Sequence, residues 1–221
     1  MYELEAESPE YRKLRSELLE AEIALRDQRE KVAALRRQLP ADTPVEDYAL
    51  RVLDLADDGG PREARLSGLF DGSDKPLILM HFMFGEAQTR PCPMCTMWAD
   101  GYDGAVAHLQ QRMHFGVVVA GDLDAFAGHA RSRGWRNLLL VSSAGTSLKT
   151  DFGMQNAEGG QVPGVSVFTR GAGGSPRHFY TAGAFMAESQ FRGMDLLSPV
   201  WNFFDLTPDG RGEFFPSLAY E

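Results

Sequence analysis

The sequence predicts an α/β fold, with a central mixed sheet flanked by helices and a long N-terminal helix in front. Three observations predict it. A heptad-like pattern opens the chain, from Ser8 to Leu39. Three apolar runs, Pro76 to Phe84, Phe115 to Ala120 and Asn137 to Ser142, then alternate with helical segments. Finally a glycine-rich turn joins two more strand-like runs. Crossover helices imply parallel strands, and a closing hairpin is antiparallel.

The first helix is expected over residues 8 to 39. Ser8 can cap it, Pro9 suits the first helical position and Pro40 ends it. Tyr11, Leu14, Leu18, Ala21, Leu25, Val32, Leu35 and Leu39 fall at alternating spacings of three and four, with Gln28 as the polar member of the seam. At 1.5 Å per residue the helix spans on the order of 45 Å. Such a seam packs on its own domain or on a second copy. Its regularity favours the second, a coiled coil making a homodimer. The expected organisation is an arm at 1–40 and a domain at 41–221.

Within the domain, residues 42 to 47 read as a loop and Tyr48 to Leu53 as a strand. Ala56 to Ala64 is a polar turn, and Leu66 to Phe70 a helical turn. Pro76 to Phe84, P-L-I-L-M-H-F-M-F, is continuously apolar, as a strand buried on both faces is. Thr96 to Met113 is helical in composition, although Gly101 and Gly104 weaken it. Asp122 caps a helix reaching Arg133. Val165 to Thr169 and Arg177 to Thr181 form the hairpin, joined by R-G-A-G-G-S-P. A last helical stretch lies within Arg192 to Leu206.

Composition narrows the function. The net charge of -9 argues against nucleic acid and against anionic membrane surfaces. No run of 18 apolar residues is present, so no membrane span is expected. The acidic start M-Y-E-L-E-A-E does not read as a secretory signal, which points to the cytoplasm. Two cysteines in one motif are not a disulfide scaffold.

Those cysteines are Cys92 and Cys95, in R-P-C-P-M-C-T-M-W just after the apolar run. With Pro93 as the first helical residue, Cys92 is the cap and Cys95 sits in the first turn. The amides of Met94 and Cys95 then point at the Cys92 sulfur, and the helix dipole adds positive charge there. Both favour thiolate, and Arg90 is placed to add to them. Cys95, one turn inward, can displace whatever Cys92 captures. Glu86, six residues earlier, either accepts the Cys95 proton or is a solvated loop residue.

Other chemistries fit less well. Structural zinc needs four ligands, and no second cysteine pair exists. A copper site is the alternative, with Cys92 and Cys95 joined by His81 or His178, because thiolate and imidazole both suit copper. An assembly protein whose output is the coiled-coil arm is a third reading. The aromatic segment of Trp201, Phe203, Phe204, Phe214 and Phe215 is either core and docking surface or the wall of a pocket beside the cysteines.

The order strand, C-x-x-C at a helix start, helix, strand, then Pro163 before a hairpin resembles the thioredoxin fold. There the peptide before such a proline is cis and pairs with an extended substrate. That implies substrate-binding roles for Val162 and Pro163, with Trp98 and Arg90 beside the motif. In detail the chain resembles a mostly bacterial family catalogued as domain of unknown function 899. The resemblance rests on His81-Phe82-Met83-Phe84-Gly85, Cys92-Pro93-Met94-Cys95, Trp98-Ala99-Asp100, Asp103-Gly104-Ala105 and Gly134-Trp135-Arg136. Val141-Ser142-Ser143, Asp151-Phe152-Gly153, Ser166-Val167-Phe168 and residues 202 to 208 complete the set. Members of that family are described as thioredoxin-like and predicted dithiol–disulfide oxidoreductases. The resemblance therefore implies a thioredoxin-like domain at 41–221, with Cys92 as nucleophile and Cys95 as resolving cysteine. It implies no cofactor, and a disulfide or small molecule as substrate. Pro91 stands where thioredoxin carries a tryptophan on its docking surface, which argues against general protein-disulfide reduction.

Overall fold

A computed structural model describes residues 6–187 and 190–220. The acidic start read for a targeting signal lies largely outside them, at residues 1–5. The backbone forms two compact units, one ending at Pro40 and one beginning at Ala41. The first unit is helix α1, Pro9–Arg36. Ser8 caps it as expected, its hydroxyl accepting from the Tyr11 amide at 3.1 Å. The helix stops three residues short of Leu39, which lies in a turn closed onto Arg36. Pro40 disfavours helical geometry at the residue before it.

In the second unit, among the described residues, eight strands form one mixed sheet. They are β1 (Thr43–Pro44), β2 (Ala49–Asp54), β3 (Arg62–Arg65), β4 (Leu77–His81), β5 (His114–Val119), β6 (Leu139–Ser142), β7 (Gly164–Arg170) and β8 (Pro176–Gly183). The spatial order is β1-β8-β7-β4-β5-β6-β2-β3. Helix α2 (Pro93–Leu109) links β4 to β5, and α3 (Leu123–Arg133) links β5 to β6; both pairs are parallel. β7 and β8 form an antiparallel hairpin that returns beside β4. This is the thioredoxin-like α/β arrangement. A four-residue helix α4 (Leu148–Asp151) precedes the hairpin, and α5 (Pro199–Phe204) follows it.

The two crossovers step in the same direction across the sheet. Right-handed connections therefore put α2 and α3 on one face. Met80, Phe82, Val117, Val119 and Leu140 meet Trp98, Ala99, Phe126 and Ala127 there. Phe82 and Phe126 make an edge-on pair with centroids 4.9 Å apart. The opposite face is closed by shorter pieces. Leu66, Leu69 and Phe70 of the helical turn, Tyr48, and Leu148 of α4 pack on Leu50, Leu77, Leu79, Val141 and Phe168. Burying each such side chain contributes about 1.5–3 kcal/mol.

Two short edge strands were absent from the sequence reading. Arg62–Arg65 overlaps the end of the expected polar turn and pairs with β2. Thr43–Pro44 lies in the segment read as a loop and pairs with β8. Both are polar and bury little, so neither carries a hydrophobic period.

Several family-like strings turn out to be staples of this frame. Asp100 on α2 accepts from the Trp135 indole at 2.7 Å and from Arg133 at 2.7 Å. Asp103 accepts from the amides of Arg136 and Asn137 at 2.9 and 2.8 Å. Asp151 accepts from the Tyr48 hydroxyl at 2.6 Å and from Ser147 at 2.7 Å. Gly121 lets the chain pass close to the end of β4. A Cβ there would stand 2.8 Å from the Phe84 ring and 2.9 Å from the Gly85 carbonyl. The 120–121 amides both bond the Phe84 carbonyl, which holds the strand's extension toward the helix start.

Candidate functional site

The site lies where β4 ends and α2 begins. Pro93 is the first residue of α2 and Cys92 is its cap, in extended backbone geometry. The Cys95 amide donates to the Cys92 sulfur at 3.5 Å. Thr96 closes the turn, its amide and hydroxyl both donating to the Cys92 carbonyl, at 3.0 and 2.9 Å. Cys92 is partly exposed, whereas Cys95 is fully buried; both are free thiols.

Electrostatics separates the two sulfurs. Cys92 is lowered from 9.0 to about 6. The Cys95 thiol donating to it is the largest cause, and the amides of Cys95 and Met94 add to it against the opposing effect of burial. Cys95 is pushed well above the ordinary thiol value by that same bond, by burial and by the Cys92 charge. The Met83 amide and Lys149 pull it the other way. The pair thus rests as a Cys92 thiolate accepting from a Cys95 thiol.

Lys149 was not singled out in the sequence. It is 1% exposed, and its ammonium donates to the Phe82 carbonyl at 2.7 Å. Burial brings its pKa down to about 7, while the nearby Cys95 acts to raise it. The segment T-S-L-K-T-D around it is mostly polar, so no sequence period marks it as interior.

Beside the helix start opens a groove of about 410 Å³, lined by Met94, Trp98, Pro163, Trp201, Phe214 and Phe215 among others. The aromatic C-terminal segment therefore supplies part of a pocket wall. Phe203, by contrast, is 69% exposed and is not among the lining residues. Trp98 is buried, and its indole N–H has no partner among the described residues. Arg211 also borders the groove, stacked on Trp201 and paired with Asp195 and Asp205.

The remaining expected site residues fare differently. The Val162–Pro163 peptide is trans, against the cis geometry that the thioredoxin resemblance implies. The Val162 amide is already bonded to the Met154 carbonyl at 2.9 Å, and the Pro163 carbonyl to the Ala184 amide at 3.0 Å. Pro163 reaches the groove, while the Val162 amide is spent inside the fold. Arg90 and Glu86 are exposed in the loop before α2. The lowering at Cys92 comes from its helix amides and Cys95 rather than from Arg90.

The copper set does not assemble. Along β4, Met80 packs with Cys95 on the helix face and Leu79 on the opposite face. Strand alternation then puts His81 on the face away from Cys95. His81 Nε2 bonds Ser166 at 2.8 Å, Ser166 bonds Thr181 at 2.8 Å, and Thr181 bonds His178 at 2.8 Å. Among the described residues no three His, Cys, Asp or Glu side chains gather as a metal-holding group.

A family model described as "Bacterial protein of unknown function (DUF899)" matches residues 3–220. No curated protein matches the chain. Among solved structures, the chain is similar to the mitochondrial 2-Cys peroxiredoxin of Plasmodium falciparum. The identity is 12%, with a TM-score of 0.48, over 80% of this chain and 100% of that one. Peroxiredoxin Q of Xanthomonas campestris gives 12% and 0.48, over 75% and 96%. Peroxidoxin BcpB of Mycobacterium tuberculosis gives 19% and 0.46, over 71% and 94%. At such identities and scores the likeness says nothing of this chain's reaction.

Proposed function

The chain belongs to the bacterial family described as domain of unknown function 899, and from its site we propose that it is a thioredoxin-like dithiol–disulfide oxidoreductase. One observation carries the reading. Cys92 caps α2 with its sulfur facing the Cys95 amide, and its pKa is lowered to about 6. Such a sulfur is largely thiolate at neutral pH and still nucleophilic.

The reaction proceeds in two displacements. The Cys92 thiolate attacks one sulfur of a substrate disulfide, forming a mixed disulfide and expelling the other half as thiolate, which takes a proton from water. Cys95 then loses its proton and attacks the Cys92 sulfur. The Cys92–Cys95 disulfide forms, and the second half leaves as a thiol carrying a proton in place of the one Cys95 gave up. The substrate gains two electrons and the dithiol loses two. A cellular thiol reductant restores it. No cofactor enters, and a reducing cytoplasm suits two cysteines held as thiols.

The groove supports a small, apolar disulfide as substrate. Trp98 and Pro163 are its contact residues in this reading. Incubating the reduced protein with an aromatic disulfide tests the mechanism. The parent is expected to release both thiol halves. Cys92→Ser is expected to release neither, and Cys95→Ser to stall as a mixed disulfide visible by mass. Full turnover in Cys92→Ser contradicts the reading.

We also propose that the arm, residues 1–40, pairs two copies into a homodimer. The seam of Tyr11, Leu14, Leu18, Leu25 and Leu35 on a 28-residue helix supports this. Removing the arm is expected to leave a monomer in solution; an unchanged oligomer contradicts it.

A further inference from the structure

Lys149 is the one buried lysine among the described residues, and no carboxylate forms an ion pair with it there. An unpaired interior ammonium is costly and seldom kept without a use. Its ammonium donates to the Phe82 carbonyl at 2.7 Å. That carbonyl belongs to the peptide joining Phe82 to Met83, and the N–H of the same peptide acts on the Cys95 sulfur, favouring its charged form. One peptide group therefore has the ammonium on its oxygen and the resolving sulfur on the side of its hydrogen. Polarisation by the cation strengthens the N–H as a donor to that sulfur.

The need for such a device follows from the chemistry. In the resting pair, the Cys95 S–H donates to the Cys92 thiolate. Once Cys92 is tied up in a mixed disulfide, that negative acceptor is gone. Cys95 must then become a thiolate with no solvent exposure at all. Glu86, exposed in its loop, is not placed to help.

We propose that Lys149 is a positioning residue for the second displacement, a fixed counter-charge that stabilises the Cys95 thiolate through the Phe82–Met83 peptide. This rests on the dithiol reading of the site. The Cys95 proton is balanced by the one taken up by the departing thiol, so Lys149 supplies charge and is not consumed. The titratable groups facing it are Cys95 from α2 and His81 from β4; His81 is held neutral by burial and by Lys149 itself. A pKa brought down to about 7 means that the charge is easily lost as pH rises, so its help is greatest on the acid side.

The test is a single turnover with an aromatic disulfide, following release of the first and second thiols separately. Lys149→Met removes charge and hydrogen bond. Lys149→Gln keeps a donor for the Phe82 carbonyl without the charge, and stands alone if the Met variant does not fold. Both variants are expected to release the first thiol within about twofold of the parent. Both are expected to release the second at least about tenfold more slowly at pH 6, the scale of one pKa unit at Cys95. The deficit should shrink as pH rises. Parental second-step rates in Lys149→Gln, or a slowing equal at all pH values, overturn the proposal. If the parent itself releases no first thiol, the dithiol reading fails, a result distinct from a parent that works and a variant that matches it.

Discussion

The Cys95 amide points at the Cys92 sulfur from 3.5 Å, one helical turn away. The neighbouring Cys95 thiol, as a donor to the same sulfur, is the larger influence on Cys92. Cys95→Ala deletes it and leaves the Cys95 and Met94 amides in place. The Cys92 titration is then expected to rise from about 6 yet stay below the ordinary 9.0, read from the ultraviolet absorbance of the thiolate. No movement would mean that the amides alone set it.

His81 makes an acid-side prediction. Buried and held neutral in the fold, it binds a proton more readily once unfolded. Where the unfolded chain binds more protons, stability rises with pH. His81 therefore costs stability as pH falls through the unfolded value of 6.5. Cys92 acts in another window, adding stability as pH rises from about 6 to 9. In denaturant melts, His81→Gln is expected to lessen the loss below pH 6.5, to which His114, His129 and His178 also contribute, while leaving the slope above pH 7 unchanged. An unchanged acid-side slope would contradict the assignment.

The groove makes a prediction that separates binding from folding. Phe215 lines it yet is 65% exposed. Truncating an exposed side chain usually moves stability by no more than about 0.5 kcal/mol. Phe215→Ala should leave the melting midpoint nearly unmoved. KM for an aromatic disulfide should rise several-fold, with kcat little changed and a small hydrophilic disulfide unaffected. Equal effects on both substrates would remove the groove from the site.

How much of this was legible depended on how local each signal is. The helix start at Cys92 could be read because a proline, a cap and a preceding apolar run are adjacent in sequence. The parallel core and the hairpin followed from period and turn chemistry. Lys149 could not be read, because only the packing of α4 against the end of β4 makes a lysine in a polar string interior. The apolar run through β4 hid which face His81 takes, since a strand buried on both sides gives no polar alternation. The resemblance suggested a cis peptide before Pro163, but the trans form fits a Val162 amide already bonded to Met154. The groove needed residues from Met94 to Phe215 brought together, which no spacing announces.

The most direct measurement of the central claim is the rate of Cys92 alkylation by iodoacetamide against pH, in reduced protein, with the modified residue located by mass. The account predicts a rate that climbs with a midpoint at about 6 and is level by pH 8, with Cys95 unmodified throughout. A midpoint near the ordinary 9.0, or modification of Cys95 first, would contradict it.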